Sequence, residues 1–431
     1  MTHTVSLFRQ FFVVLSWLLL AIVPLACVDP EDLILHGTID IIVVDGTITN
    51  LAEPQIIRLN RSRADRLTGR FGTLPITKAT VVVVIDSAEA ISCHETVDGS
   101  YQLPSDFKGQ IGHAYQLRFT LSDGTRYIST QQVIQAVPPI DKASARFNLQ
   151  SLLPPLGGFF RAGHDVFIEF SDPAEQHNYY RWDWTLYEPQ KWCRTCVKGF
   201  YSVFNPIEVF PPGGFYKSGT ESFEDCFYPA PRIGVPDADF KFDYACRTQC
   251  WEILHNYTIT VFDDQYTNGG PITGLKVAEI PFYQHSPCLV DIRQLSLTKD
   301  AYRYFKLFQD QTQNTGGLAD TPPTALIGNV HNVANAQEKV VGYFTASAVS
   351  RKPLYIDRKD TEGYPFGKDP AGYSGVEGEV LFFALNGRQP IQEPGPPNEI
   401  RIFLDGTLRP PTAICAPLDQ RTPYTPEGWP N

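Results

Sequence analysis

The 431-residue sequence lacks the short motifs by which many enzymes are recognised. None of its nine histidines lies in an H-E-x-x-H spacing, and neither a G-x-S-x-G sequence nor a glycine-rich phosphate-binding loop occurs. Two acidic pairs, Asp237 with Asp239 and Asp263 with Asp264, could contact Ca²⁺, but neither lies in an EF-hand loop. We therefore expect no catalytic residue, no metal ion and no cofactor. Carboxylates that meet only in the folded protein leave no sequence spacing, so a hydrolase stays open as an alternative.

The sequence is also short of basic residues. Lys and Arg total 36 against 47 Asp and Glu, which gives a net charge of −11. A chain with this balance lacks the basic surface that attracts nucleic acid, and anionic lipid headgroups repel it. Hydrophobic residues make up 43% of the chain and charged residues 19%. This composition is typical of a globular protein, and the length allows two or three domains.

The N-terminus carries the most informative pattern of the chain. An apolar run, Phe11–Ala26, follows Arg9 and ends directly before Cys27. A run of this length is short for a membrane-spanning helix, which needs about 20 residues, and suits a secretory signal. We expect residues 1–26 to be a lipoprotein signal peptide and Cys27 to carry acyl chains that anchor the protein in the outer membrane. An ordinary cleaved signal peptide and a retained helical anchor are the alternatives.

Acidic residues follow the predicted lipidation site. Asp29, Glu31 and Asp32 lie within a predicted tether, residues 27–38. Acidic residues directly behind a lipidated cysteine resemble the export signal that moves lipoproteins to the outer face of the outer membrane. We therefore expect exposure at the cell surface. A solvated spacer that keeps the fold away from the headgroups is the alternative.

Eight cysteines remain once Cys27 is set aside. An even number in an exported protein indicates disulfide bonds, and the candidates are Cys93, Cys193, Cys196, Cys226, Cys246, Cys250, Cys288 and Cys415. Two alternatives remain for members of this set. Cys193 and Cys196 with Cys246 and Cys250 could form a zinc site, and Cys193 with Cys196 could form a redox pair. The sequence does not define the connectivity.

The remaining chain reads as short strands separated by turn residues, which predicts a mainly β fold. Residues 39–137 contain about seven short strands and hairpin signals such as Asp98–Gly99, the pattern of an immunoglobulin-like or transthyretin-like sandwich. Residues 141–388 form a larger β-rich domain with a Cys-rich insertion at 189–251, which we expect disulfides to pin. One helix begins after the N-cap residue Thr298. Residues 389–431 form a Pro-rich tail.

Aromatic residues concentrate beside the Cys-rich insertion. Trp182, Trp184, Trp192 and Trp251 are candidates for stacking against a sugar or peptide ligand, because large aromatic side chains favour such contacts. Trp182 and Trp184 fall on one face of a strand predicted at 179–187. Alternate residues of that strand could equally form the core of a sandwich.

Several short motifs resemble those of the DUF4249 family, a Bacteroidota lipoprotein family of unknown function. The resemblance spans nearly the whole mature chain, and the residues that carry it are Cys27, Val44–Asn50, Pro75–Val81, Gly99–Tyr101, Gly112–Leu117, Gly124–Tyr127, Cys250–Trp251, Leu297–Tyr302, Gly328–Val330, Gly342–Ala346 and Trp429. It implies an outer-membrane lipoprotein with an N-terminal sandwich, encoded beside a TonB-dependent transporter. It brings no catalytic residues.

Together these patterns predict a non-catalytic, surface-exposed outer-membrane lipoprotein. We expect it to be an accessory or ligand-capturing partner of a TonB-dependent β-barrel transporter, with an unidentified ligand and no nucleic acid partner. A surface hydrolase acting on glycans or peptides is the first alternative, and it would carry facing carboxylates or a metal in a deep pocket. A structural or adhesive surface module is the second.

Overall fold

The computed structural model describes most of the chain beyond the predicted tether. The described residues are 40–64, 71–152, 161–174, 176–190, 192–197, 200–202, 225–227, 241–256, 258–267, 269–312, 326–363 and 412–430. Cys27, Asp29, Glu31, Asp32 and the predicted signal peptide and tether lie outside these residues. The chain divides into two units, residues 1–40 with 62–72 and residues 41–61 with 73–431. Apart from a few residues at strand ends, the elements below belong to the second unit.

The described elements are almost all strands. In the first part they are β1 (Asp40–Thr49), β2 (Ile56–Ala64), β3 (Phe71–Pro75), β4 (Thr80–Ile85), β5 (Glu89–Ser92), β6 (His94–Val97), β7 (Ser100–Gln102), β8 (Ala114–Thr120), β9 (Arg126–Ser129) and β10 (Gln132–Val133). The next are β11 (Lys142–Asn148), β12 (Gly163–Ser171), β13 (Tyr179–Pro189), β14 (Trp192–Val197), β15 (Phe200–Ser202), β16 (Asp225–Phe227) and β17 (Lys241–Cys246).

The later strands are β18 (Trp251–His255), β19 (Thr260–Asp263), β20 (Pro271–Pro281), β21 (Cys288–Leu297), β22 (Val330–Asn332), β23 (Val340–Ser347), β24 (Val349–Ile356), β25 (Thr412–Ala413) and β26 (Arg421–Thr422). A single turn of 3-10 helix covers Asp264–Tyr266, and helix α1 covers Lys299–Thr312. The mainly β fold that the strand patterns predict is confirmed. None of the described helices is long and apolar enough to cross a membrane.

Two sheets form the first core. One has the strand order β23-β1-β2-β7-β6 and the other β22-β9-β8-β4-β5. Residues from both sheets, among them Ile57, Phe119 and Phe344, belong to one buried cluster, so the two sheets pack face to face as a sandwich. β22 and β23 come from far along the chain and lie at one edge of each sheet.

The pairing of β1 with β23 is parallel and continuous. It runs from Ile42 opposite Val340 to Thr49 opposite Ser347. The backbone of Gly342 has φ +90, and a Cβ atom at this position would lie 1.9 Å from the carbonyl oxygen of Val44. Only glycine allows this approach, so Gly342 is required where the two strands meet.

A second core lies between two further sheets. A three-stranded sheet, β11-β12-β20, faces a sheet of order β24-β21-β13-β18-β26, beside which β19 also pairs with β13. Val166, Trp182 and Ile292 belong to the shared buried cluster. The domain boundaries predicted from the sequence, 39–137 and 141–388, stay predictions. The structure adds that Val330–Asn332 and Val340–Ser347 join the first pair of sheets rather than the second.

Disulfide bonds join the Cys-rich stretch to itself and to the C-terminal segment. Cys193 bonds to Cys246, and Cys250 bonds to Cys415. The prediction of disulfides is confirmed for these four residues, whose sulfurs are therefore not thiolate ligands of the alternative zinc site. β25 pairs with β17 and β26 with β18, so part of the predicted tail extends two sheets.

Two cysteines depart from the prediction. Cys93 and Cys288 are free thiols, which corrects the expectation that both belong to disulfides. The reason is their location, because Cys93 packs against the first core and Cys288 lies within the second. The side chains of the other two candidates, Cys196 and Cys226, lie outside the described residues.

Helix α1 begins as its sequence predicts. The Thr298 hydroxyl accepts a hydrogen bond from the backbone N–H of Ala301 at 3.3 Å, the contact expected of an N-cap residue. The Tyr302 ring packs at a tilt against Tyr179 with ring centroids 4.9 Å apart, and the Arg181 guanidinium lies 4.5 Å from the centre of the Phe305 ring. The helix therefore packs its aromatic side against β13.

Candidate functional site

The tryptophans proposed for ligand contact are mostly interior residues. Trp182 and Trp184 are 1% and 2% exposed, and the Trp182 indole N–H donates to Gln294 at 3.0 Å. Trp251 is buried against Trp429, with ring centroids 4.1 Å apart. These three tryptophans are interior residues, and for Trp182 and Trp184 this is the alternative that the strand pattern left open. The side chain of Trp192 lies outside the described residues.

One cleft lies on the first sandwich. It has a volume of about 690 Å³ and is lined in part by Asp86, Phe107, His113 and Tyr115. The Asp86 carboxylate contacts His113 Nδ1 at 2.6 Å and accepts a hydrogen bond from the Ala114 N–H at 2.9 Å. The Ala114 bond, followed by the His113 contact, lowers the pKa of Asp86. The cleft therefore presents a carboxylate that stays ionised beside an imidazole.

A second cleft lies where β13 and helix α1 begin. Its volume is about 380 Å³, and its walls come from residues 135–136, 176–180 and 296–299. His177 lies in this wall, two residues before β13. The antiparallel pairing of β13 with β19 sets Tyr179 opposite Asp263, so the end of β19 lies beside the segment that carries His177.

An imidazole and two carboxylates meet beside this second cleft. His177 Nε2 lies 2.5 Å from Asp263 Oδ1 and 3.5 Å from Asp264 Oδ1. One ligand atom from each of the three residues falls within 4.8 Å of the others. Asp263 is also the N-cap of the 3-10 turn, where its Oδ1 accepts the N–H of Gln265 at 2.9 Å. The turn therefore fixes the position of the Asp263 carboxylate.

Asp264 is unusual because it is a fully buried carboxylate. Its exposed fraction is 0%. Oδ2 accepts the N–H of Asn178 at 2.8 Å, whereas Oδ1 has no hydrogen-bond partner among the described residues. Burial is the main cause that raises the pKa of Asp264, the Asn178 bond opposes it, and the negative charge of Asp172 adds to the rise.

Asp172 is a second buried carboxylate in this neighbourhood. It is 5% exposed and accepts hydrogen bonds from the Tyr180 hydroxyl at 2.5 Å and from the Gly269 N–H at 3.2 Å. Both oxygens of Asp172 are thus occupied by donors. Asp172 and Asp264 place two acidic groups in the interior, and His177 Nε2 lies 3.5 Å from Asp264 Oδ1.

Only part of this arrangement can be predicted from the sequence. Asp263 and Asp264 stand out as an acidic pair that could contact Ca²⁺, but His177 is more than 80 residues away and forms no motif with them. The signal that could have joined them is strand pairing, because His177 lies two residues before one strand and Asp263 ends its neighbour. Register between strands this far apart in sequence is not readable from alternation alone.

Comparison with known proteins gives a family and no relative of known role. The sequence profile of the family described as Domain of unknown function (DUF4249) matches residues 30–353. The chain belongs to the DUF4249 family. No curated protein and no solved structure matches the chain. His177, Asp263 and Asp264 fall within the DUF4249 match, whereas Cys415 and Trp429 lie beyond it.

Proposed function

We propose that this DUF4249 protein is a surface-exposed lipoprotein of the outer membrane that captures a ligand beside a TonB-dependent transporter, without catalysing a reaction. One observation carries the proposal, namely the apolar run Phe11–Ala26 that ends at Cys27. Acyl chains on Cys27 contribute about 0.8 kcal/mol for each buried CH₂ group. Asp29, Glu31 and Asp32 behind this cysteine support display on the outer face.

The clefts support the ligand-capturing part of the proposal. Pockets that bind small molecules in proteins usually measure about 300 to 1,000 Å³. The two clefts, of about 690 and 380 Å³, fall in this range. Each combines aromatic side chains with a few charged groups, which is the lining expected where a ligand is oriented as well as held.

Metabolic labelling tests the anchor. Cells that produce the protein are grown with radiolabelled palmitate, and the wild type is compared with Cys27→Ala and with the matched variant Cys93→Ala. We expect label in the wild type and in Cys93→Ala, and none in Cys27→Ala. If Cys27→Ala retains the label or stays in the membrane fraction, the lipoprotein proposal is wrong.

Protease treatment of intact cells and affinity purification test the location and the partner. We expect the wild type to be cleaved from outside, and the variant with Asp29→Asn, Glu31→Gln and Asp32→Asn to become protected. After mild solubilisation of outer membranes, we expect a β-barrel transporter to co-purify with the wild type. A protein that is protected in intact cells, or that purifies without a transporter, contradicts the respective part of the proposal.

One observation favours a second function, a surface hydrolase acting on glycans or peptides. Asp263 and Asp264 bring two carboxylates together next to an imidazole and a cleft, as acid–base chemistry requires. Incubation with soluble polysaccharides and peptides would then release products, and Asp263→Asn would abolish the release. Product formation that Asp263→Asn leaves unchanged speaks against a role for this cluster.

A further inference from the structure

We propose that His177, Asp263 and Asp264 bind a divalent transition-metal ion. The inference goes beyond the proposed function, because it depends neither on the lipid anchor nor on a transporter. It rests on three features: the three ligand atoms converge within 4.8 Å, one ligand is a fully buried carboxylate with an unpartnered oxygen, and neighbouring groups hold the ligands in place.

The buried carboxylate is the strongest of these features. Buried polar oxygens are almost always hydrogen-bonded, and an oxygen left without a partner in the interior is destabilising. Asp264 has a hydrogen bond to one oxygen only, and its other oxygen lies 3.5 Å from His177 Nε2. A bound cation between Asp264 and His177 supplies the missing partner.

The donor set selects the class of ion. Ca²⁺ and Mg²⁺ prefer sites built from oxygen atoms, whereas imidazole suits Zn²⁺, Ni²⁺, Cu²⁺ and Fe²⁺. Zn²⁺ bonds to nitrogen and oxygen are about 2.0 to 2.2 Å long, so two ligands of a tetrahedral site lie about 3.4 Å apart. The 3.5 Å separation of His177 Nε2 from Asp264 Oδ1 matches this spacing. The shorter contact of His177 with Asp263 would open by less than about 1 Å.

The surrounding residues orient the ligands, as outer-shell groups do in metal sites. The Asn178 N–H holds Asp264, and the Gln265 N–H holds Asp263. The His177 ring stacks on Tyr179 with centroids 4.6 Å apart and an interplanar angle of 28°. These contacts come from backbone groups and from a strand residue, so the ligands are positioned before an ion arrives.

The site stays open on the side of the cleft. The His177 side chain is 44% exposed and that of Asp263 is 24% exposed, whereas Asp264 is fully enclosed. With three protein ligands, a tetrahedral ion keeps one position for water or for a ligand. That position would face solvent near the 380 Å³ cleft, whose wall contains His177.

Calorimetric titration with Zn²⁺ tests the proposal. The purified full-length protein in detergent is treated with a chelator, dialysed, and titrated with ZnCl₂ at neutral pH. We expect one Zn²⁺ ion per chain, and a shift of the thermal unfolding midpoint to higher temperature with rising Zn²⁺ concentration. Co²⁺ in place of Zn²⁺ should give visible absorption bands, and an excess of Ca²⁺ should not displace either ion.

Substitutions assign the ion to these residues. His177→Ala changes an exposed side chain and Asp263→Asn replaces a half-buried one with a side chain of the same shape, so both variants should fold, and each should weaken Zn²⁺ binding by at least about 10-fold. His113→Ala is the matched control, since His113 is also an exposed histidine that contacts an aspartate, and it should bind as the wild type does. The proposal is overturned if the wild type binds no Zn²⁺, as expected if Asp264 is merely protonated. It is equally overturned if His177→Ala and Asp263→Asn bind as tightly as the control.

Discussion

A buried ion pair in the second core provides a direct test of how this fold is held together. Glu188 at the end of β13 and Arg358 after β24 are both fully buried, and Arg358 donates to Glu188. Arg358 also donates to the carbonyl oxygens of Gln284 at 2.7 Å and Ser286 at 3.1 Å. Burial opposes the charge on Arg358, yet the attraction of Glu188 raises its pKa above the ordinary value.

The perturbation is Glu188→Gln, which keeps the shape of the side chain and removes its charge. The guanidinium of Arg358 then stays buried without a counter-charge, and breaking a buried pair in this way costs about 3 to 5 kcal/mol of unfolding free energy. At about 2 to 4 °C per kcal/mol for domains of 150 to 250 residues, the melting temperature should fall by roughly 6 to 20 °C. Circular dichroism during heating measures this change.

Two further variants make the test specific. Glu169→Gln breaks the exposed Lys142–Glu169 pair, whose atoms are 3.0 Å apart, and should lower stability by at most about 1 kcal/mol. The double variant Glu188→Leu with Arg358→Met removes both charges, and it should recover much of the stability lost in Glu188→Gln. A melting temperature for Glu188→Gln that equals that of Glu169→Gln would refute the reasoning, as would a double variant less stable than Glu188→Gln.

Three other expectations concern the backbone, a free thiol and pH. In urea unfolding, Gly342→Ala should lower the free energy of unfolding more than the control Gly274→Ala does, because both glycines have positive φ but only Gly342 meets a backbone oxygen, that of Val44. Gly274→Ala should lower the free energy of unfolding by about 1 to 2 kcal/mol. Equal losses in the two variants would contradict the parallel pairing. Burial raises the pKa of Cys288 to about 12, so iodoacetamide should modify this thiol only after the protein unfolds. Peptide mass spectrometry measures the modification, and rapid labelling of the native protein would contradict the prediction. Although burial opposes it, hydrogen bonds from Lys276, Asn148 and Ser151 lower the pKa of Asp165, and Lys276 Nζ forms an ion pair with Asp165 Oδ1 at 2.8 Å. The resulting stabilisation is present above the unfolded pKa of 3.8 and is lost as pH falls through the lower folded pKa. The urea midpoint of Asp165→Asn should therefore depend less on pH in this acid range than the midpoint of the wild type. An equal pH dependence in the two proteins would argue against the ion pair.

Local sequence patterns were sufficient for single strands and hairpins. The Asp98–Gly99 signal lies between β6 and β7, which pair with each other, and Gly99 has φ +73. The alternation around Trp182 and Trp184 correctly places both on one buried face. These features depend on neighbours within a few residues, so the local sequence pattern is enough to predict them.

Pairing between distant segments was beyond the sequence patterns. The sequence predicts a late strand at Val340–Ala346, but adjacency in sequence favours pairing with nearby strands. The structure pairs it instead with β1, some 300 residues earlier. Gly342 allows this pairing, because its positive φ and missing side chain let the backbone of Val44 approach closely. A glycine in a strand pattern, however, does not reveal which segment approaches it.

The candidate metal site also depends on pairing between strands that are far apart in sequence. Asp263 and Asp264 are visible as an acidic pair, yet an acidic pair alone is commonly a solvated turn. Here the pairing of β13 with β19 brings His177 to Asp263 and Asp264 and buries Asp264, which distinguishes these two residues from a solvated turn. A carboxylate that a turn would leave in water is thereby moved into the interior with one oxygen lacking a described partner. Zn²⁺ binding at this site therefore depends on the register between β13 and β19. A variant that shifts this pairing should lose Zn²⁺ binding even though all three ligand residues are intact.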